Sequence, residues 1–487
     1  MNKKQIALIA ATYLGTFMST LDISIVNVAL PTIQENLKVS MGGMQWIIDA
    51  YAVCLAAFIL ASGAFSSKYG MKRVWMIGIA GFVGSSFLCS ISKSLCPLLI
   101  GRALQGVSAA LIIPGALSII FHAIEDGQLR SRIVGGWSAC TAIALICGPG
   151  LGGVLVDTAG WQSIFIINLP IGGLALCLSA WGIKEFIEKK NAPIDILGQI
   201  FSILWISGAI YALIQTGEST KPLASLAILP FLSALLIIFF FIEKKAKQPL
   251  IPFSLFQNKS FSLSNLASFV LGFSYYSSLF FLSLFFQEAQ GVSATQAGSR
   301  MVPAFVLAAV ISFIFGGLNT IFSVQKLLIS GYALIGFSMC ALGFSTTTTP
   351  YWHTGVLLAI MGAGVGLSVP ATSISILSQA DNANLSIASS IMNALRQAGM
   401  AFGIAILGSI MSITSFIHAK IQLHAQGIAD AASKAHALMV DRHRVDLQVK
   451  SIYCQASACG FQWVMLIAGS LCLGIAGCFI LHSYRNK

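Results

Sequence analysis

Asp22, within TLDISIVNVALP (Thr20–Pro31), is a carboxylate in an apolar run that carries no other charge between Gln5 and Leu30. Near the middle of a membrane-spanning helix such a group costs about 2.5–3.5 kcal/mol to insert, which points to a function. Three more charges lie within long apolar runs: Asp49, Arg102 and Arg396. Desolvation favours a neutral acid, and a nearby guanidinium favours the carboxylate. Arg102 moving toward or away from Asp22 would therefore switch that carboxylate between ionised and protonated, which is the chemistry of proton coupling. Asp49 is a second intramembrane acid in the same half and a candidate substrate-binding residue. Arg396, roughly 15 Å from the inner end of its helix, could meet a substrate or only backbone carbonyls.

The elements that must position these charges are membrane helices. Of the 487 residues, 56% are hydrophobic and only 9% charged, where soluble domains carry about 25% charged residues. Apolar runs recur along the whole chain, each long enough to cross a hydrocarbon core, without the short alternation of a β-barrel. Lys3 and Lys4 precede a first run that is too long for a signal-peptide core, so a retained first helix is expected. Fourteen spans are expected, at 5–30, 44–66, 74–92, 97–121, 132–157, 163–184, 195–215, 223–243, 262–287, 296–318, 325–344, 353–377, 386–415 and 459–482. This is an all-α polytopic membrane protein. On this reading Asp22 lies roughly 12 Å, and Asp49 and Arg102 roughly 7 Å, from the outer ends of their helices.

Charge sets the orientation. With the N-terminus inside, cytoplasmic segments hold 17 of the 28 Lys and Arg, and the short external loops hold four. Both termini are therefore expected in the cytoplasm, and the net charge of +12 is mostly a topology signal. The basic residues do not cluster on one soluble face, which argues against nucleic acid as a partner.

Two halves overlay. GAFSSKYGMKR (Gly63–Arg73) matches GGLNTIFSVQK (Gly316–Lys326), and Gly106, Ser108, Ala110 and Pro114 match Gly362, Gly364, Gly366 and Pro370. Such repeats mark many secondary transporters. The expected organisation is a six-helix bundle at 1–190, two intervening helices at 191–250, and a second six-helix bundle at 251–487 with an external loop at about 416–458. That loop is expected to fold as a short helical hairpin. Its His418, His424, His436 and His443 match no standard metal-ligand spacing, and no metal or cofactor is expected. Of the eleven cysteines, most lie in apolar runs, and Cys454 and Cys459 are the candidates to pair outside the membrane.

Seven stretches in order carry a resemblance. LDISIVNVALP, QWIIDAYAVCLAA, GRALQGVSAALIIP, GPGLGG, WQSIFIINLPIG, QEAQGVSATQAGSRMVP and NALRQAGMAFGIAILG resemble the motifs of the major facilitator superfamily, specifically its fourteen-helix drug/proton antiporters (QacA-like and EmrB-like efflux pumps). The resemblance implies proton-coupling roles for Asp22 and Arg102. It also implies an export-type antiporter motif at Gly148, Pro149, Gly152 and Gly153, although a packing bend explains those residues equally well. The loop motif after the second helix keeps Gly63, Gly70, Lys72 and Arg73 but has Ser67 where the family usually carries an acid. A latch made by that acid would have to be made differently here.

No H-E-x-x-H, G-x-S-x-G or G-x-x-x-x-G-K-[ST] occurs, which argues against a known hydrolytic or ATP-driven mechanism. The expected function is proton-driven export of amphipathic, cationic drugs across the inner (cytoplasmic) membrane. The alternative is export of an anionic or zwitterionic metabolite such as a siderophore or fatty acid, with Arg102 and Arg396 facing it. Expected partners are the substrate, protons and the bilayer; whether a periplasmic adaptor and an outer-membrane channel extend the path is open.

Overall fold

The computed structural model describes residues 1–39, 41–187, 252–426, 430–440 and 447–485, with scattered positions between 197 and 244. Among the described residues, 12 helices are long and apolar enough to cross a membrane, and no strand occurs. In chain order they are α1 (Lys3–Leu37), α2 (Met41–Tyr69), α3 (Met71–Ser90), α4 (Leu95–Ala123), α5 (Gly127–Ala159) and α6 (Ser163–Gly182). The second set is α7 (Lys259–Ala289), α8 (Ala294–Ile321), α9 (Val324–Leu342), α10 (Tyr351–Leu377), α11 (Leu385–Ala425) and α12 (Leu447–Arg485). The spans expected at 195–215 and 223–243 fall largely outside the described residues.

Helix starts follow local capping chemistry. Asn2 and Gln5 form a capping box at α1, and Ser293 and Gln296 form another at α8. Asp126 caps α5 by accepting from the N–H groups of Gln128 (2.8 Å) and Leu129 (3.1 Å). Those two bonds hold the Asp126 carboxyl below its usual range. Two expectations change. α1 continues through Pro31 to Leu37, so Asp22 lies some 22 Å from its far end, near the middle of the helix. α11 likewise runs past Ser415 to Ala425, and α12 begins at Leu447. The expected loop is therefore mostly continued helix, with a short helix at Ala431–Val440 whose Ala431 and Ala435 pack against Leu423 and Ile452. Cys454 and Cys459 both lie within α12 and are free. Five residues apart on one helix, they point to different faces and cannot reach each other.

The neighbour pattern repeats after six helices. α2 and α3 pack on α4 as α8 and α9 pack on α10, and α1 packs on α5 as α7 packs on α11. The two sets then meet through α5 against α8 and α2 against α11, an exchange-symmetric contact. Without a hydrophobic drive between helices in lipid, close backbone approach at small residues supplies the packing. A Cβ on Gly106 would lie 2.3 Å from the Tyr51 carbonyl of α2, and one on Gly362 would lie 1.9 Å from the Ala304 carbonyl of α8.

Among the described residues, side-chain bonds that cross between the sets include Ser62–Ser390 (3.2 Å), Ser389 to the Pro114 carbonyl (2.8 Å), Ser138–Ser312 (3.1 Å) and Asn319 to Ser131 (2.8 Å). All four lie toward the end of the bundle where the chain begins and ends. This conformation is closed on that side.

Overpacking a tight helix crossing costs about 1–3 kcal/mol. Gly362→Val should therefore lower the thermal midpoint of the detergent-solubilised protein. Gly474→Val, at a position with open space, should leave it unchanged.

Candidate functional site

Asp22 is fully buried, and five helices of the first set converge on it. Arg102 Nη1 of α4 donates to Asp22 Oδ2 in a close ion pair. Arg102 is 1% exposed, and its other bonds run to the Ile47 carbonyl of α2 (2.9 Å, from Nε) and to Gln105 Oε1 (2.8 Å, from Nη1). The amide nitrogens of Gln105 and of Asn168 on α6 each donate to Asp22 Oδ1 at 3.1 Å. Both amides also reach Ser86 of α3, at 2.8 and 3.2 Å. The Tyr51 ring lies 4.7 Å from the Arg102 guanidinium carbon, and its hydroxyl donates to the Ser19 carbonyl (3.1 Å). Bonds to a charged group are worth about 1.5–3 kcal/mol each, and removing one partner of a buried pair costs about 3–5 kcal/mol. The cluster can exchange one proton for one guanidinium while its amides hold the remaining geometry.

Gln105 and Asn168 were not among the expected site residues. Gln105 was legible in principle, three residues after Arg102 on the same helix face. Asn168 follows a one-residue interruption at Ile167, whose dihedrals stay helical (φ −57°, ψ −27°); Pro170, which lacks the N–H that would bond the Ile166 carbonyl, accounts for the interruption but does not reveal what the Asn168 amide meets.

The stripe below Asp22 packs the helices. Thr16 accepts from Trp137 Nε1 of α5 (2.9 Å), and a Cβ on Gly15 would lie 2.8 Å from the Trp75 ring of α3. Gly148 and Gly152 press α5 onto α1 directly after Asp22: their Cβ atoms would meet Ser24 Oγ at 1.8 Å and Ile25 Cγ1 at 2.9 Å. Gly153 faces open space, and Pro149 lies inside a continuous α5. Asp49 is half-buried on α2, two residues from Ile47 and from Tyr51, a spacing that turns its side chain to the opposite face of the helix from theirs. Arg396 is on α11 in the other set and does not join Asp22; its Nε and Nη2 have no hydrogen-bond partner among the described residues.

The loop between α2 and α3 obtains its acid elsewhere. Ser67 is buried with its hydroxyl unpartnered among the described residues. Glu185, just after α6, accepts from the Lys72 N–H (3.0 Å) in the first turn of α3 and lies 3.6 Å from Arg73 Nε. Gly70 (φ 102°) leaves room for that carboxylate, and Lys72 Nζ donates to the Ala180 carbonyl (2.7 Å). Arg73 is 73% exposed, so the anion at the helix N-terminus contributes more than the ion pair. Gly63 sits against Ser386 and Ser390 of α11 at the closed end. Among the described residues no cluster of three or more His, Cys, Asp or Glu could hold a metal.

Two six-helix sets related by a repeat, meeting at a seal on one side with a charge pair buried in one set, define a multi-pass membrane carrier. A profile of the Major Facilitator Superfamily matches residues 12–404, and the chain belongs to that superfamily. It is 35% identical over 418 residues to the methylenomycin A resistance protein of Bacillus subtilis, covering 84% of this chain and 88% of that one. It is 29% identical over 441 residues to the multidrug resistance protein Stp of Mycobacterium tuberculosis, covering 90% and 81%. The fold is also that of the human organic anion transporter MFSD10 (TM-score 0.65, 14% identity, 97% and 100% covered).

If Asp22 and Arg102 act as one unit, their substitutions cannot be additive. In a double-mutant cycle of Asp22→Asn and Arg102→Gln, read by unfolding of the solubilised protein, a coupling of about 0.5–3 kcal/mol is expected.

Proposed function

We propose that this protein is a proton-driven antiporter that exports amphipathic compounds across the cytoplasmic membrane, with both termini in the cytoplasm. The observation that carries the reading is the Asp22–Arg102 pair, shut away from solvent and held by neutral amides. A proton arriving from outside neutralises Asp22 and releases Arg102 from it. Arg102 keeps its bonds to the Ile47 carbonyl and Gln105. The bundles then open toward the cytoplasm, Arg102 returns to Asp22 as cargo binds, and the proton leaves on that side. The excess of Lys and Arg in segments on the terminal side supports the orientation, and the names of the two resistance relatives support drug export.

A cationic cargo would use Asp49, since Asp22 is committed to Arg102 in this state. The second reading, an anionic cargo, is favoured by the unpartnered nitrogens of Arg396.

Everted membrane vesicles test the coupling. Adding a transported drug to vesicles energised with a proton gradient should release protons through the wild type. Asp22→Asn should reduce that release at least about tenfold, the equivalent of 1.36 kcal/mol. Undiminished drug-dependent proton release in the variant would contradict the mechanism.

A further inference from the structure

We infer that α11 carries a carboxylate-binding site centred on Arg396 and that the exported compound presents an anionic group to it; the second clause rests on the export reading above. Arg396 lies some 17 Å along α11 from Leu385, which is mid-membrane depth. It is 8% exposed, yet Nε and Nη2 are buried without a hydrogen-bond partner among the described residues. These two nitrogens share one edge of the guanidinium, and their N–H bonds run parallel. That edge is the fork which binds a carboxylate through two bonds at once.

Arg102 shows what a satisfied buried guanidinium looks like in this protein, with a carboxylate, a carbonyl and an amide around it. Arg396 has no such set, and the sequence around it holds no substitute. From Pro252 onward the described acids are Glu288, Asp381 and Asp430, which lie at helix ends or in connections. In the first half, Asp22 is already paired with Arg102. A buried cation is normally paired; among the described residues nothing pairs Nε and Nη2, and a bound carboxylate would supply the counter-charge.

The surroundings are built for close approach. α7 makes a π-turn at Gly272–Tyr276, a feature that recurs at functional sites. It packs on α11 directly at this residue, since a Cβ on Gly272 would lie 2.0 Å from the Arg396 carbonyl oxygen. Tyr332, whose hydroxyl is fixed to the Ala267 carbonyl (2.7 Å) and lies 3.3 Å from Thr372 Oγ1, is within electrostatic range of both Arg396 and Tyr276. Aromatic rings and one unpaired fork suit an aromatic or alicyclic acid better than a cation.

The test uses the full-length protein in nanodiscs and three radiolabelled probes with one aromatic body: 1-naphthylacetate, 1-naphthylacetamide and 1-naphthylmethylammonium. The wild type should bind the carboxylate at least about tenfold more tightly than either of the others, about 1.4 kcal/mol. Arg396→Gln should abolish that preference and leave amide binding unchanged. Arg396→Lys should keep part of it, because the charge remains and the fork is lost. Equal binding of the three probes, no binding of any, a preference for the ammonium, or equal weakening of all three by Arg396→Gln would overturn the inference. Where Arg396→Gln does not fold, Arg396→Lys decides: an unchanged carboxylate preference means that the side chain only packs. A wild type that binds the carboxylate through Arg396 in nanodiscs but shows no gradient-driven uptake in everted vesicles keeps this site and removes the coupling reading.

Discussion

The burial of Asp22 against Arg102 constrains everything around it. A charge pair out of water is stable only when its remaining lone pairs and protons are met by other groups. Five helices must therefore arrive together: α1 with the acid, α4 with the guanidinium and Gln105, α2 with the Ile47 carbonyl and Tyr51, α3 with Ser86, and α6 with Asn168. The tight crossings of the first set serve that convergence. Gly15 admits the Trp75 ring, and Gly148 and Gly152 admit α1 against α5 at Ser24 and Ile25. Small residues in this bundle act as spacers that fix where a charge can sit.

On the proposed mechanism the same pair gives the carrier two states. Asp22 ionised requires Arg102, and Asp22 neutral does not, so a proton and a guanidinium compete for one carboxylate. The seal between the sets is made from hydroxyl and amide bonds at Ser62, Ser138, Ser389 and Asn319, which are individually modest and separable. A strong local switch thus works against a weak distributed seal, as a reversible transport cycle needs. Glu185 ties the α2–α3 connection to the end of α6 within the first set, which leaves the seal as the part that opens.

Charges inside apolar runs were the most legible features of the sequence, because lipid makes each one conspicuous. Asp22 and Arg102 were paired on that ground together with their shared depth in one repeat, with the family resemblance implying the same roles, and the repeat was visible through Gly106 and Gly362, which hold equivalent crossings. Neutral partners were not visible: an amide in an apolar helix carries no comparable penalty, so Gln105 and Asn168 did not stand out. Nor was the source of the loop's acid, since Glu185 is distant from Ser67 in sequence and reaches the loop only through the fold. Helix ends were misplaced wherever helix continues beyond the bilayer, as at Leu37 and Ala425, because hydropathy marks the membrane boundary and backbone bonding marks the helix boundary.

The central claim is that Asp22 exchanges a proton for Arg102. Infrared difference spectroscopy of the purified protein during an acid titration observes this directly. The account predicts a protonated-carboxyl band in the wild type that grows as pH falls and is missing from the Asp22→Asn spectrum. A band of equal size in both proteins would contradict it.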